Sequence, residues 1–214
     1  GNRLVIIGYD GDKKYENVPS YIPGDTIKKV NGKTMTLIEF FVHSPFKDSL
    51  VEGRAESDKN VTSIVMQVRF KKSSSDTKPS ALYLFGGDAD HYIWEEIQNQ
   101  SSAHNNGGKL DFDIFLAPHH CSWTYFNDVP YKKGETDEPV ESSKKLIKDH
   151  KVSGAVIIAS SKQINDDDDN PPHYPAKKEY VKLIGSSDKF ISLAEEPDSK
   201  NSKPVVYEVT SSGF

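Results

Sequence analysis

Apolar positions recur along this chain with two periods. Residues 4–9 form a short apolar run that reads as a buried strand, and residues 10–23 follow as a polar loop with Gly and Pro. Segments 26–30 and 33–42 flank Asn31 and Gly32, the preferred pair for a type I′ hairpin turn. After a long polar loop, 61–70 alternates strictly, with Thr62, Ile64, Met66, Val68 and Phe70 on the expected inner face. Residues 81–85 are apolar throughout, which predicts a central strand.

Beyond residue 85 the period changes. Ile93, Trp94 and Ile97 give 89–100 helical spacing, 101–109 reads as a flexible linker, and 113–117 is again a buried strand. Segment 141–150 predicts an amphipathic helix with Leu146 and Ile147 inward, and 155–159 a third short strand. Pro175 stands near the start of a helix running to Ile184, where proline is tolerated. Strands over 190–193 and 205–209 close the chain. A β-rich front half and an alternating back half predict an α/β (α+β) architecture, a sheet covered by helices in one domain over 1–214.

Composition narrows the class. The 214 residues carry a net charge of −5, which gives no general polyanion-binding surface. Cys121 is the sole cysteine, so an internal disulfide and a Cys-rich zinc site are excluded. No apolar run reaches membrane-spanning length and no signal-peptide pattern is present, so the expectation is a soluble, cytoplasmic protein. The chain opens on Gly1 and enters a strand almost at once, which reads as a cut into a longer protein.

The chemistry concentrates where strands end. Asp88 follows strand 81–85 after Gly86 and Gly87; His119 and His120 follow strand 113–117; His173 lies beyond strand 155–159. Carboxylate and imidazole are the usual ligands of zinc, manganese and iron. Each residue also has a plain structural reading. Asp88 is placed to cap the next helix, the His pair to hydrogen-bond at a rim, and His173 to stiffen a turn between prolines. Residues 166–169 are four aspartates without the spacing and central glycine of an EF-hand, and read as a solvated loop. His91 reads as a surface residue near the site, and His104 and His150 as exposed. Cys121 beside His120 is a weak nucleophile candidate, because catalytic pairs are distant in sequence. Ser122 lacks a Gly-x-Ser-x-Gly elbow. Trp123, Tyr125 and Phe126 serve either as a stacking platform or as core beneath the His loop.

The segments SIVMQVRF, ALYLFGGDAD, DFDIFLAPHHCS, AVIIASS and NPPHYPAKKEYVKLI, in that order, resemble the second half of metallo-β-lactamase-fold hydrolases. The nearest branch is the hydrolase domain of bacterial DNA-uptake channel proteins, and the likeness spans about residues 25–185. It implies an αββα sandwich of which this chain is the C-terminal half, with the metal site at one edge. It further implies Asp88 as a metal-bridging carboxylate and His119 as a metal ligand. His120 and His173 become catalytic candidates, and Asn60 and Ser122 substrate-binding ones. Three departures stand out. The signature His-x-His-x-Asp-His is absent, Cys121 replaces a glycine, and Gly86 replaces a threonine. The expected activity is a zinc- or manganese-dependent hydrolase of a small or nucleic-acid phosphodiester, with Lys162 and the loop through His173 meeting a phosphate. The alternative is a degenerate, metal-free domain acting as an interaction module.

Overall fold

A computed structural model describes residues 4–12, 17–47, 59–127, 138–167, 171–210 and 212–213. Its centre is a seven-stranded mixed sheet in the order β11-β10-β9-β8-β7-β6-β3. These strands are β3 (Thr26–Ile27), β6 (Ile38–Val42), β7 (Met66–Phe70), β8 (Ala81–Phe85), β9 (Phe112–Leu116), β10 (Lys151–Ala159) and β11 (Phe190–Ser192). Strands β8 to β11 run parallel, while β3, β6 and β7 join antiparallel, so β8 sits in the middle as its uniform apolarity predicts. Two small ribbons lie apart, β1 (Ile6–Ile7) with β2 (Ser20–Tyr21), and β4 (Lys29–Val30) with β5 (Lys33–Thr34). The second turns on Asn31 (φ 54°) and Gly32 (φ 73°), the left-handed pair that a type I′ turn demands.

Three helices join the parallel strands: α1 (His91–Ala103), α2 (Glu141–His150) and α3 (Tyr174–Ile184). Helix α1 starts where the Asp90 side chain accepts the Ile93 N–H at 3.1 Å, and its inward stripe is Ile93, Trp94, Ile97 and Ser101. Helix α2 buries Leu146 and Ile147 fully. Helix α3 carries Pro175 in its first turn and stops at left-handed Gly185 (φ 100°).

Register divides the sheet into rows. One row runs Phe41, Gln67, Leu84, Phe115, Ile157, Phe190. Leu84, Phe115, Ile157 and Phe190 share one core with Trp94 of α1, Leu146 of α2 and Tyr180 of α3, so this row faces the helices. Side chains alternate across a strand, so the flanking rows point the other way. They read Val42, Met66, Phe85, Leu116, Ile158, Ile191 and Phe40, Val68, Tyr83, Ile114, Val156, without a charged residue. Tyr207 and Val209 line a small cavity together with Phe70, Ala81, Tyr83 and Ile114 at one end of this second face.

The sequence reading needs three corrections here. Strand 61–70 is a strand only from Met66; Lys59–Thr62 is a 3-10 turn, and Ile64 is 40% exposed while Val65 is fully buried. The alternation continued through a segment whose backbone is hydrogen-bonded into that turn, from Ser63 N–H to the Asn60 carbonyl at 3.0 Å. Residues 205–209 join no sheet ladder. His91 is buried at the helix start against Tyr92, 3.9 Å between ring centroids, rather than on the surface. No helix among the described residues is long and apolar enough to cross a membrane.

Candidate functional site

Strands β8 and β9 are parallel neighbours with Phe85 opposite Leu116, so the residues just beyond them leave the sheet side by side. The exit of β8 has little room. A Cβ on Gly86 would come within 2.3 Å of the Trp94 indole, so no larger residue fits there without moving that ring. That close approach accounts for glycine at this position. Gly87 follows with φ 51° and turns the chain to bring Asp88 to the rim. The Asp88 N–H donates to Ser63 Oγ at 3.2 Å, so the Asn60 turn stands directly behind it. Asp88 does not cap α1; Asp90 does. Its half-buried carboxylate accepts no hydrogen bond among the described residues.

The exit of β9 is unusual. His119 (φ 47°), His120 (φ 55°) and Cys121 (φ 67°) are three consecutive left-handed residues, none of them glycine. Each such residue costs about 1–2 kcal/mol. The turn persists because every part of it is tied to a different neighbour. The His119 N–H donates to the Gly87 carbonyl at 2.9 Å, which joins the two strand exits. His120 Nδ1 lies 2.7 Å from the Ser160 carbonyl just past β10. The Cys121 carbonyl accepts the His173 N–H at 3.0 Å. The Cys121 side chain is fully buried, and burial pushes its thiol well above the usual range, so it supplies no thiolate nucleophile.

His173 is buried at the start of α3. Its Nδ1 accepts the Trp123 N–H at 2.8 Å, so in the neutral ring Nε2 carries the proton. Burial holds its pKa below the ordinary histidine value, and the nearby His119 lowers it further. His120 has the opposite tautomer. Its Nδ1 donates to a carbonyl, which leaves the lone pair on Nε2 of an exposed ring. Ser122 Oγ accepts from Thr124 N–H at 3.3 Å and Thr124 Oγ1 at 3.1 Å, in a fully buried position. It therefore holds the loop in shape and is enclosed as a nucleophile. Trp123, Tyr125 and Phe126 are core residues, Tyr125 and Phe126 against Tyr180 and Trp123 against Phe126, and not a stacking platform.

Backbone bonds and register thus place Asn60, Asp88, His119 and His120 around one rim, and bury Ser122 and His173 in the loops that join it. Ser63, Thr124 and Ser160, which hold it, carry no sequence signal of their own; Ser63 and Ser160 each act by a single oxygen from another loop, and Thr124 by its N–H and Oγ1 on Ser122. Asp88 and His119 are the two ligand-type residues at the adjoining strand exits. Among the described residues no group of three or more His, Cys, Asp or Glu gathers closely enough to hold a metal ion. Residues 168–169 of the aspartate run lie outside the described residues. Compared with protein-family models, with curated proteins and with solved structures, the chain finds no match.

Proposed function

We propose that this domain carries part of the active site of a metal-dependent hydrolase acting on phosphodiesters, on one half of a metallo-β-lactamase-like αββα sandwich. One observation carries the reading. Two adjacent parallel strands deliver a carboxylate and an imidazole to one rim, joined by the 2.9 Å bond from His119 N–H to the Gly87 carbonyl. The donor set fits zinc or manganese in kind, an oxygen from Asp88 and a ring nitrogen from His119, and is short in number. In this reading the other ligands come from a second layer seated on the uncharged sheet rows, on the side away from the three helices. When bound, such an ion supplies Lewis-acid polarisation of a phosphoryl oxygen and lowers the pKa of water.

The protein's own groups divide the remaining work by tautomer. Neutral His173 holds the loop in place, its Nδ1 accepting the Trp123 N–H so that the ring proton sits on Nε2. His120 presents an Nε2 lone pair, placed to accept a proton at the rim. The Asn60 turn positions Asp88 through Ser63. The test is a zinc titration followed by amide resonances. Weak, saturable shifts at Asp88 and His119 that vanish in both Asp88→Ala and His119→Ala support the reading. Shifts that survive both substitutions, or none at millimolar zinc, overturn it.

A metal-free interaction module is the second reading. It is favoured by the same uncharged rows, in which Tyr83, Phe85, Ile114 and Leu116 are half-buried.

A further inference from the structure

Away from the strand-exit rim, a cleft of about 550 Å³ opens between the last turn of α1, the end of β6 and the loops at residues 10–11 and 22–24. That volume falls in the ordinary range for small-molecule sites, roughly 300–1,000 Å³. Its floor is apolar and buried: Phe41, Val42, Phe46 and Ile97. Its rim is polar: Asp10, Gln100, His104 and Asn106.

The polarity of this rim is one-sided. Among the described residues no lysine or arginine lines the cleft. Asp10 contributes a carboxylate, one oxygen of which accepts the Lys47 N–H. His43 lies in the wall with Nε2 2.9 Å from the Lys109 carbonyl, so Nε2 is the donor and Nδ1 keeps its lone pair. Burial holds this ring neutral at ordinary pH. His104 repeats the arrangement. Its Nδ1 lies 2.9 Å from the Gln100 carbonyl, which leaves Nε2 as the acceptor. Helix α1 ends here, so its carbonyl end adds partial negative charge. The Phe41 ring already takes a cation on one face, the Lys109 ammonium 5.1 Å from its centroid, and that lysine lies outside the lining.

We propose that this cleft binds a small organic cation, an ammonium group on a flat apolar body. The ammonium lies toward Asp10 and the end of α1, and the apolar body rests on Phe41, Phe46 and Ile97. This inference is independent of the proposed hydrolase site, because it uses none of the residues at the exits of β8, β9 and β10.

The experiment compares two probes of one skeleton, 2-phenylethylammonium and 3-phenylpropanoate, followed by the backbone amides of Gly24, Ser101 and Asn106. Saturable shifts with the ammonium and none with the carboxylate are expected. Asp10→Asn keeps an acceptor for Lys47 N–H and removes the charge, and Gln100→Lys sets a cation at the rim. Each is expected to weaken the ammonium at least about ten-fold, while Asp88→Ala leaves it unchanged. Equal responses to both probes overturn the proposal, as does no saturation by the ammonium up to about 10 mM or undiminished binding in both variants. If either variant fails to fold, the two probes on the native chain decide alone.

Discussion

Two residues show how closely the rim is constrained. Gly86 has no space for a side chain, because the Trp94 indole occupies the position its Cβ would take. Gly86→Ala is therefore expected to destabilise the fold by about 1–3 kcal/mol through overpacking, read as a lower urea midpoint at unchanged slope. His173 holds a second constraint, since its Nδ1 is the acceptor for the buried Trp123 N–H. Asparagine places its side-chain oxygen near that nitrogen and alanine places nothing. His173→Ala is expected to cost about 1–3 kcal/mol and His173→Asn clearly less. The unequal urea midpoints of the two variants isolate this acceptor role of the ring.

At the scale of elements, the strands and helices were legible wherever one period ran unbroken. Segment 81–85 is β8 to the residue, and 141–150 is α2, because uniform apolarity and helical spacing each had a single solution. The type I′ turn was legible for the same reason, since Asn31 and Gly32 tolerate positive φ and most residues do not, whereas the expected strands 26–30 and 33–42 each break in two. Reading failed where a loop bond outweighed a pattern. The alternation through 61–65 gave way to a turn that serves Asp88, and the cap of α1 moved from Asp88 to Asp90, two residues on. The site residues were visible one by one as ligand types at strand ends. Their assembly was not, since three left-handed residues in His119, His120 and Cys121 contradict every local preference and exist through bonds to Gly87, Ser160 and His173.

The whole molecule is asymmetric, with helices over one face of the sheet and uncharged rows on the other. Its acid response follows from buried imidazoles. His43 has its pKa lowered to about 3, by burial first and by His150 second. The unfolded chain therefore binds a proton there that the folded chain refuses between about pH 6.5 and 3. Stability is full above pH 6.5 and falls as the pH drops through that window, at up to about 1.4 kcal/mol per pH unit. His43→Gln, which can keep a side-chain N–H for the Lys109 carbonyl, is expected to flatten the slope of urea midpoint against pH between 6.5 and 4.5. His173 is shifted in the same direction and leaves a residual slope.

The turn at residues 119–121 knots together the exits of β8, β9 and β10 and the start of α3. Loosening any one strand exit therefore releases the others. In deuterium exchange the amides of His119 and His173 should share one opening free energy with Ala117, whose N–H donates to the Ile158 carbonyl at 2.8 Å. Three separate protection levels would mean that these loops breathe independently, whereas a single level would make the rim one foldon that opens or closes as a unit.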